Sequence, residues 1–183
     1  MFVAVDIDEP LRRQVSRVQD AVRAAAPGAK WVDPALCHLT LKFLGSVPAG
    51  QVADIGAGCR RAAAGATPFE LVFGGIGAFP RWRGARVLWM GITGGRAPLS
   101  ALQASVEAEL APLGFPPEAR PFSPHLTLAR FKQPPPRTLQ DAAGACEHQA
   151  FGSVPIQDAR LIRSDLRSTG PVYTLLEAFP LGT

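Results

Sequence analysis

The chain predicts an α+β fold built mainly from antiparallel strands. Short apolar strands and amphipathic helices alternate along the sequence. The last two strands are joined across Ser168-Thr169-Gly170-Pro171, which reads as a hairpin turn. The tetrapeptide His-Leu-Thr-Leu occurs twice, at 38–41 and 125–128, which points to a duplicated unit.

Phe2 to Ile7 alternates apolar with small or acidic residues and predicts the first strand. Asp8-Glu9-Pro10 starts a helix, with acids and Pro in its first turn. Leu11, Val15, Val18 and Val22 continue it at helical spacing, and Pro27-Gly28 ends it. A second strand lies within Trp31 to Phe43 and stops at Gly45. Pro48 to Ala64 predicts a helix with Val52, Ile55 and Cys59 on one face, interrupted by Gly56 and Gly58. Phe69 to Phe73 is a strand leading into a Gly-rich turn at Gly74-Gly75. Arg86 to Ile92 is a strand of buried character, and Gly94-Gly95 a turn. Ala97 to Leu113 is a helix with Leu99, Leu102, Val106 and Leu110 as its stripe. His125 to Phe131 is a strand, and Pro134-Pro135-Pro136 a loop. A helix follows over Thr138 to Glu147, then strands over Pro155 to Leu166 and Val172 to Phe179.

The 183 residues carry no internal linker and read as one unit, 1–183. The 47% hydrophobic share excludes a disordered chain. Gly 18 and Pro 18 without a three-residue period exclude collagen and imply many turns. Cys37, Cys59 and Cys146 form no paired spacing, so neither a disulfide framework nor a structural zinc site is expected. Two acids within the first eight residues are unlike a secretory leader, and no apolar run approaches the roughly 18 residues of a membrane span. A soluble cytoplasmic protein of a reducing compartment is expected, and nothing demands more than a monomer. The net charge of +4 is carried mostly by Arg, whose planar fork of donors suits phosphate. No phosphate-binding Gly-rich loop of the G-x-x-x-x-G-K-[ST] type is present, so ATP use of that kind is not expected.

The repeat carries the chemistry. The chain has three histidines, and two of them begin the repeated motif. Strand side chains alternate faces, so His38 and Thr40 share one face while Leu39 and Leu41 share the other. The same holds for His125 and Thr127 against Leu126 and Leu128. Each motif packs its leucines inward and offers an imidazole and a hydroxyl to a cleft. Imidazole titrates near neutral pH. Two opposed imidazoles supply a base on one side of a reacting phosphorus and an acid on the other. Hydroxyls can donate to the non-bridging oxygens as charge builds there. A phosphodiester suits that arrangement, and the scheme needs no metal and no cofactor.

On these residues the chain resembles the RNA 2′,3′-cyclic phosphodiesterases, historically 2′-5′ RNA ligases, of the 2H phosphoesterase superfamily. The two H-x-T-x motifs are that superfamily's hallmark. The resemblance also takes in Phe2-Val3-Ala4-Val5-Asp6, H-L-T-L-K-F-L-G at 38–45, Gly77-Ala78-Phe79-Pro80, R-V-L-W-M-G at 86–91 and P-H-L-T-L-A-R at 124–130. It closes with Leu161 to Leu175, including Ser164, Gly170 and Tyr173. Ser46 departs from the pattern, standing where an acid often follows F-L-G. The resemblance implies a bilobal fold with two mainly antiparallel sheets facing across a central groove and helices outside. It implies hydrolysis of an RNA 2′,3′-cyclic phosphate to a 2′-phosphomonoester, and reversible 2′-5′ joining of tRNA halves. It implies His38 as proton donor to the leaving 3′ oxygen, His125 as proton acceptor, and Thr40 and Thr127 as phosphate holders.

Other residues divide between site and scaffold. Arg130 lies five after His125, so a regular strand turns it away; only a bulge returns it to the phosphate. The family pattern gives Arg130 a substrate role. Phe43 and Trp31 flank the first motif and suit either core packing or base stacking. Tyr173, the one tyrosine, is a further candidate for the groove. Arg81-Trp82-Arg83 suits an RNA contact or a solvated turn. Cys37 points away from His38, which excludes a Cys–His dyad, and His148 reads as a surface residue. Two rival functions remain: a phosphodiesterase for a small cyclic nucleotide or 2′-5′ oligonucleotide, and a non-catalytic RNA-binding module.

Overall fold

Strand β1 (Phe2–Asp6) starts a four-stranded sheet in the order β3-β1-β8-β9, with β3 at His38–Phe43, β8 at Asp158–Arg167 and β9 at Gly170–Pro180. A five-stranded sheet runs β2-β6-β5-β4-β7 over Lys30–Trp31, Leu126–Arg130, Val87–Gly94, Phe69–Phe79 and Ala150–Ile156. All the pairings are antiparallel. We call the sheets lobes A and B. This computed structural model describes residues 1–168 and 170–182. Thr169, within the expected hairpin join, lies outside the described residues, while the pairing of Arg167 with Gly170 closes β8 onto β9.

Among the described residues four α-helices cover the outer faces. Helix α1 (Glu9–Arg23) is capped by the Asp8 carboxylate, which accepts from the Leu11 amide at 3.0 Å. Helices α2 (Val52–Ala64) and α3 (Arg96–Leu110) pack against each other and the lobe A sheet. Gly58 allows that approach: a Cβ there would lie 3.0 Å from Leu110 of α3. Helices α1 and α4 (Arg137–Gly144) lie against lobe B. The buried leucines of both motifs, with Val3, Val5, Met90 and Leu161, join one continuous apolar core between sheets and helices. The α+β architecture of two antiparallel sheets with outer helices is the one expected.

Three local expectations fail. Gly74-Gly75 does not end its strand; β4 runs on to Phe79 through bulges, with Gly75 at φ +72° bending it. Pro155 to Leu166 is not one strand. It is the end of β7 in lobe B and then β8 in lobe A, with Gln157 between them. Pro155 sits in an edge strand, where its missing N–H costs no ladder bond. The short β2 was not expected as a separate element. It leaves the first motif strand and joins lobe B, where Lys30 pairs with Arg130.

A candidate active site between two bulged strands

The two motifs are held in the same way down to an irregularity. In lobe A, Ala4 pairs with Thr40 and Val3 with Lys42, so Leu41 has no partner and bulges. In lobe B, Trp89 pairs with Thr127 and Leu88 with Ala129, so Leu128 bulges. A bulge returns the residue after next to the original face. Phe43 therefore rejoins the face of His38 and Thr40, and Arg130 rejoins that of His125 and Thr127. Burial follows this pattern. Leu41 and Lys42 are buried in succession before exposed Phe43, as are Leu128 and Ala129 before exposed Arg130. The bulge that the sequence required for Arg130 is present.

The bulge in lobe B is anchored. Gln19 of α1, 1% exposed, donates from Nε2 to the carbonyls of Leu128 and Val32, at 3.1 and 2.7 Å. The Val32 amide donates to the same Leu128 oxygen at 2.9 Å. Sequence reading passed over Gln19. Its signal was a polar residue inside the apolar stripe, four after Val15.

Both imidazoles are oriented by backbone. His38 Nδ1–H donates to the Leu36 carbonyl at 2.8 Å, and His125 Nδ1–H to the Ser123 carbonyl at 2.7 Å. A carbonyl only accepts, so the proton sits on Nδ1 and leaves Nε2 free to exchange a proton. Phe2 stacks on His38 with ring centroids 4.5 Å apart, and Tyr173 meets His38 edge-on at 5.4 Å. Phe79 meets His125 edge-on at 4.9 Å and lies 5.2 Å from Trp89. Gly77 makes room for that indole: a Cβ there would lie 2.2 Å from its ring.

Burial lowers both imidazoles below their ordinary value of 6.5. The Arg130 guanidinium lowers both further and also lowers the Tyr173 phenol against its burial. The lobes differ in two charges, Asp6 and Arg12, which act on His38 in opposite directions and not on His125. Asp6 pairs with His38 across the strands and raises its pKa against the burial. The Asp6 carboxylate accepts from Arg12 at 2.6 Å and from Arg160. Arg12 also donates to the carbonyls of Pro34, Ala35 and Cys37, at 3.0, 3.0 and 3.3 Å. These flank the Leu36 carbonyl that orients His38. Neither Asp6 nor Arg12 was picked out from the sequence.

The structure thus brings His38, Thr40, Phe43 and Tyr173 of lobe A onto one face, with His125, Thr127 and Arg130 on the matching face of lobe B. Phe43 is 61% exposed, so it is not a core residue. Trp31 packs against the core, with the Arg23 guanidinium 4.9 Å from its ring centroid. Cys37 is buried and its thiol pKa is pushed up to about 12, mainly by burial, so it offers no nucleophile. His148 is exposed. Among the described residues no cluster of three or more His, Cys, Asp or Glu is placed to hold a metal.

Comparison with known proteins identifies the family. A profile of the 2′-5′ RNA ligase superfamily matches residues 7–167. The chain is 40% identical over 181 residues to the RNA 2′,3′-cyclic phosphodiesterase of Methanothermobacter thermautotrophicus, covering 98% of this chain and 97% of that one. It is 35% identical over 179 residues to the protein of the same name from Archaeoglobus fulgidus, covering 98% of each. Among solved structures it superposes on TT0787 of Thermus thermophilus with a TM-score of 0.83 at 34% identity, covering 98% of this chain and 96% of that one. Escherichia coli LigT complexed with 3′-AMP follows at 0.78 and 26% identity, over 100% and 97%. The duplicated motif strands, their shared bulge and these full-length likenesses place the chain in one family: it belongs to the 2′-5′ RNA ligase superfamily.

Proposed function

We propose that this protein is a cyclic phosphodiesterase that opens the 2′,3′-cyclic phosphate at the end of an RNA to a 2′-phosphomonoester. The observation that carries the reading is the arrangement of His38 and His125. Each is held by a backbone carbonyl on Nδ1, each keeps Nε2 free, and the bulge at Leu128 turns Arg130 onto the face of His125 and Thr127. Relatives of that name, at up to 40% identity along the whole chain, support the substrate.

In this mechanism His125 Nε2 takes a proton from water as its oxygen forms the new bond to phosphorus. The bond from phosphorus to O3′ breaks, and His38 Nε2–H gives its proton to that oxygen. A free 3′-hydroxyl and a 2′-phosphate result. Thr40 and Thr127 donate to the non-bridging oxygens, and Arg130 balances their charge. His38 is taken as the acid and His125 as the base; the Asp6 carboxylate, paired with His38 alone, supports that division by favouring a protonated ring there, although Arg12 opposes it. Phe43 and Tyr173 receive the terminal base, in keeping with the 3′-AMP complex of the Escherichia coli relative. When the 5′-hydroxyl of a second RNA replaces water, the same transfers make a 2′-5′ phosphodiester, as in joining of tRNA halves. Both proton-transfer groups come from one chain, so a monomer suffices, and the proposed scheme routes no step through a metal or cofactor.

The test is incubation in EDTA with a short RNA ending in a 2′,3′-cyclic phosphate. The expected product gains the mass of one water and resists a 3′-specific phosphatase. No conversion, or conversion only with added divalent metal, would overturn the proposal.

A further inference from the structure

The two walls of the groove differ in kind beyond the reacting centre. Among the described residues four large apolar side chains are exposed, and three of them lie on the groove face of lobe A: Phe43 at 61%, Leu175 at 54% and Leu166 at 85%. Register fixes that face. Phe2 pairs with both Phe43 and Ile162, Ile162 with Leu175, and Ser164 with Tyr173, while Leu166 lies two residues beyond Ser164. An exposed apolar row on a sheet face marks a binding surface.

The edge of lobe B beside Arg130 is cationic. Residues 71–106 contain four Arg and no Asp or Glu, and residues 119–140 contain three Arg, one Lys and no Asp or Glu. These stretches supply β5, β6 and the turns around them, with most of β4 and α3 and the start of α4. They hold eight positive charges, against +4 for the whole chain. The pairing of Lys30 with Arg130 puts both on the groove face, side by side on β2 and β6. Exposed Arg81 and Arg83 stand on the β4–β5 turn at the same end of the sheet, where Phe79 pairs with Val87 and Val87 with Arg130. Lys132 follows β6 there, held to the turn by an Arg86 side chain that donates to its carbonyl. Among the described residues none of Lys30, Arg81, Arg83, Arg130 and Lys132 makes an ion pair; those pairs lie on α1, α2, β3 and β8.

We propose that this groove is an extended track for single-stranded RNA on the 5′ side of the reacting phosphate. The bases of the upstream nucleotides lie on the Phe43, Leu175 and Leu166 shelf of lobe A, and their phosphates run along the Lys30, Arg81, Arg83 and Lys132 rim of lobe B. An apolar wall facing a cationic wall is the complement of a single strand, whose bases and backbone separate onto opposite sides. A mononucleotide needs neither wall beyond Arg130 and Phe43. The track rests on the proposed cyclic phosphodiesterase reading and sharpens its substrate to an RNA chain of several nucleotides.

The experiment compares adenosine 2′,3′-cyclic phosphate with a hexaribonucleotide carrying the same cyclic end. The parent is set beside the triple variant Arg81→Ala/Arg83→Ala/Lys132→Ala and beside Leu166→Glu. In the parent, kcat/KM for the hexamer exceeds that for the mononucleotide by about tenfold or more at low salt, and the advantage shrinks as salt rises. The triple variant loses most of that advantage, and its log–log salt slope for hexamer binding falls by about 2, at ~0.7 for each single-strand phosphate no longer neutralised. Leu166→Glu lowers the hexamer advantage at unchanged salt slope. Equal kcat/KM for the two substrates in the parent, or equal hexamer affinity in parent and variants by fluorescence anisotropy, would overturn the track. So would a dimeric parent that Leu166→Glu renders monomeric, since the shelf would then be a subunit interface. Anisotropy also separates the two proposals. Hexamer binding that needs the rim without hydrolysis of either substrate sinks the reaction and leaves the track standing.

Discussion

Asp6 pairs directly with His38, two residues along from Ala4, the partner of Thr40; the corresponding place on β5, two along from Trp89, the partner of Thr127, is Gly91. Only one of them carries a charge. An otherwise matched pair of sites is therefore electrostatically unequal, and the inequality sits on the His38 side. Removing it should move one limb of the pH profile. In Asp6→Asn the carboxylate no longer raises the His38 pKa, while Arg12 still lowers it. The alkaline limb of kcat/KM, which reports loss of the acid, moves to lower pH. Arg130→Gln removes a charge that lowers both imidazoles, so both limbs move to higher pH while KM rises. An Asp6→Asn profile whose acidic limb moves while its alkaline limb stays in place would refute the role assignment.

The parent profile itself has a sign. Burial holds both imidazoles below 6.5, so each proton is lost at a lower pH than from a free imidazole. The bell for kcat/KM should be centred on the acidic side of 6.5. His38→Ala and His125→Ala should each cost on the order of 10²–10⁴ in kcat. Full activity in either variant, in steady-state assays over the pH range, would dismiss the mechanism.

Arg12 should act through His38 without touching substrate. Its guanidinium ties Asp6 to the carbonyls of Pro34, Ala35 and Cys37, and so holds the segment whose Leu36 carbonyl fixes the imidazole. Arg12→Lys keeps the charge but loses the planar fork. It should lower kcat by about tenfold at nearly constant KM, and nitrogen NMR of His38 should show a mixture of ring tautomers in place of one. A variant with reduced activity and an undisturbed His38 signal would reduce Arg12 to a structural brace.

The catalytic pair was legible because two identical tetrapeptides and the period-two rule together place His38, Thr40, His125 and Thr127 without tertiary information. Arg130 was legible only as a condition. Nothing in Leu128-Ala129-Arg130 announces a bulge, because the bulge is set by partners far away: Gln19 on α1 and Val32 after β2. Phe43 shares that ambiguity, since Leu41 bulges against β1. The Pro155 misreading has a similar cause. β7 and β8 are continuous as an apolar pattern, and only the sheets they join tell them apart. Asp6 was visible as a face-sharing neighbour of Phe2 and Ala4, but its contact with His38 depends on pairing between β1 and β3. Local pattern gave the elements, and long-range pairing decided which residues face the groove.

Gln19 gives that last point an energetic test. Gln19→Leu keeps the volume and removes both hydrogen bonds, leaving the Leu128 carbonyl with the Val32 amide alone and the Val32 carbonyl stripped of its Gln19 partner. The cost in stability should be about 1–3 kcal/mol, seen in urea unfolding. If the anchor also maintains the bulge, KM for the cyclic substrate should rise as Arg130 loses its aim.

The buried pair of Lys42 and Glu107 bears on the same strand from its core side. Lys42 follows the bulged Leu41, and its ammonium donates to Glu107 at 2.5 Å and to the Pro116 carbonyl at 2.9 Å. The side chains are 2% and 9% exposed, and Gln103 donates to the other Glu107 oxygen at 3.0 Å. The pair pins β3 to α3 and to the segment after it. Desolvation takes back much of its Coulombic attraction, so its removal as a unit is tolerable while its half-removal is not. Lys42→Met should leave Glu107 as an uncompensated buried charge and cost about 3–5 kcal/mol, roughly 6–20 °C in Tm. Lys42→Met with Glu107→Met should recover most of that loss by calorimetry. A double variant as unstable as the single one would mean that the pair is required for the placement of β3, and the bulge at Leu41 would then depend on a charge buried beneath it.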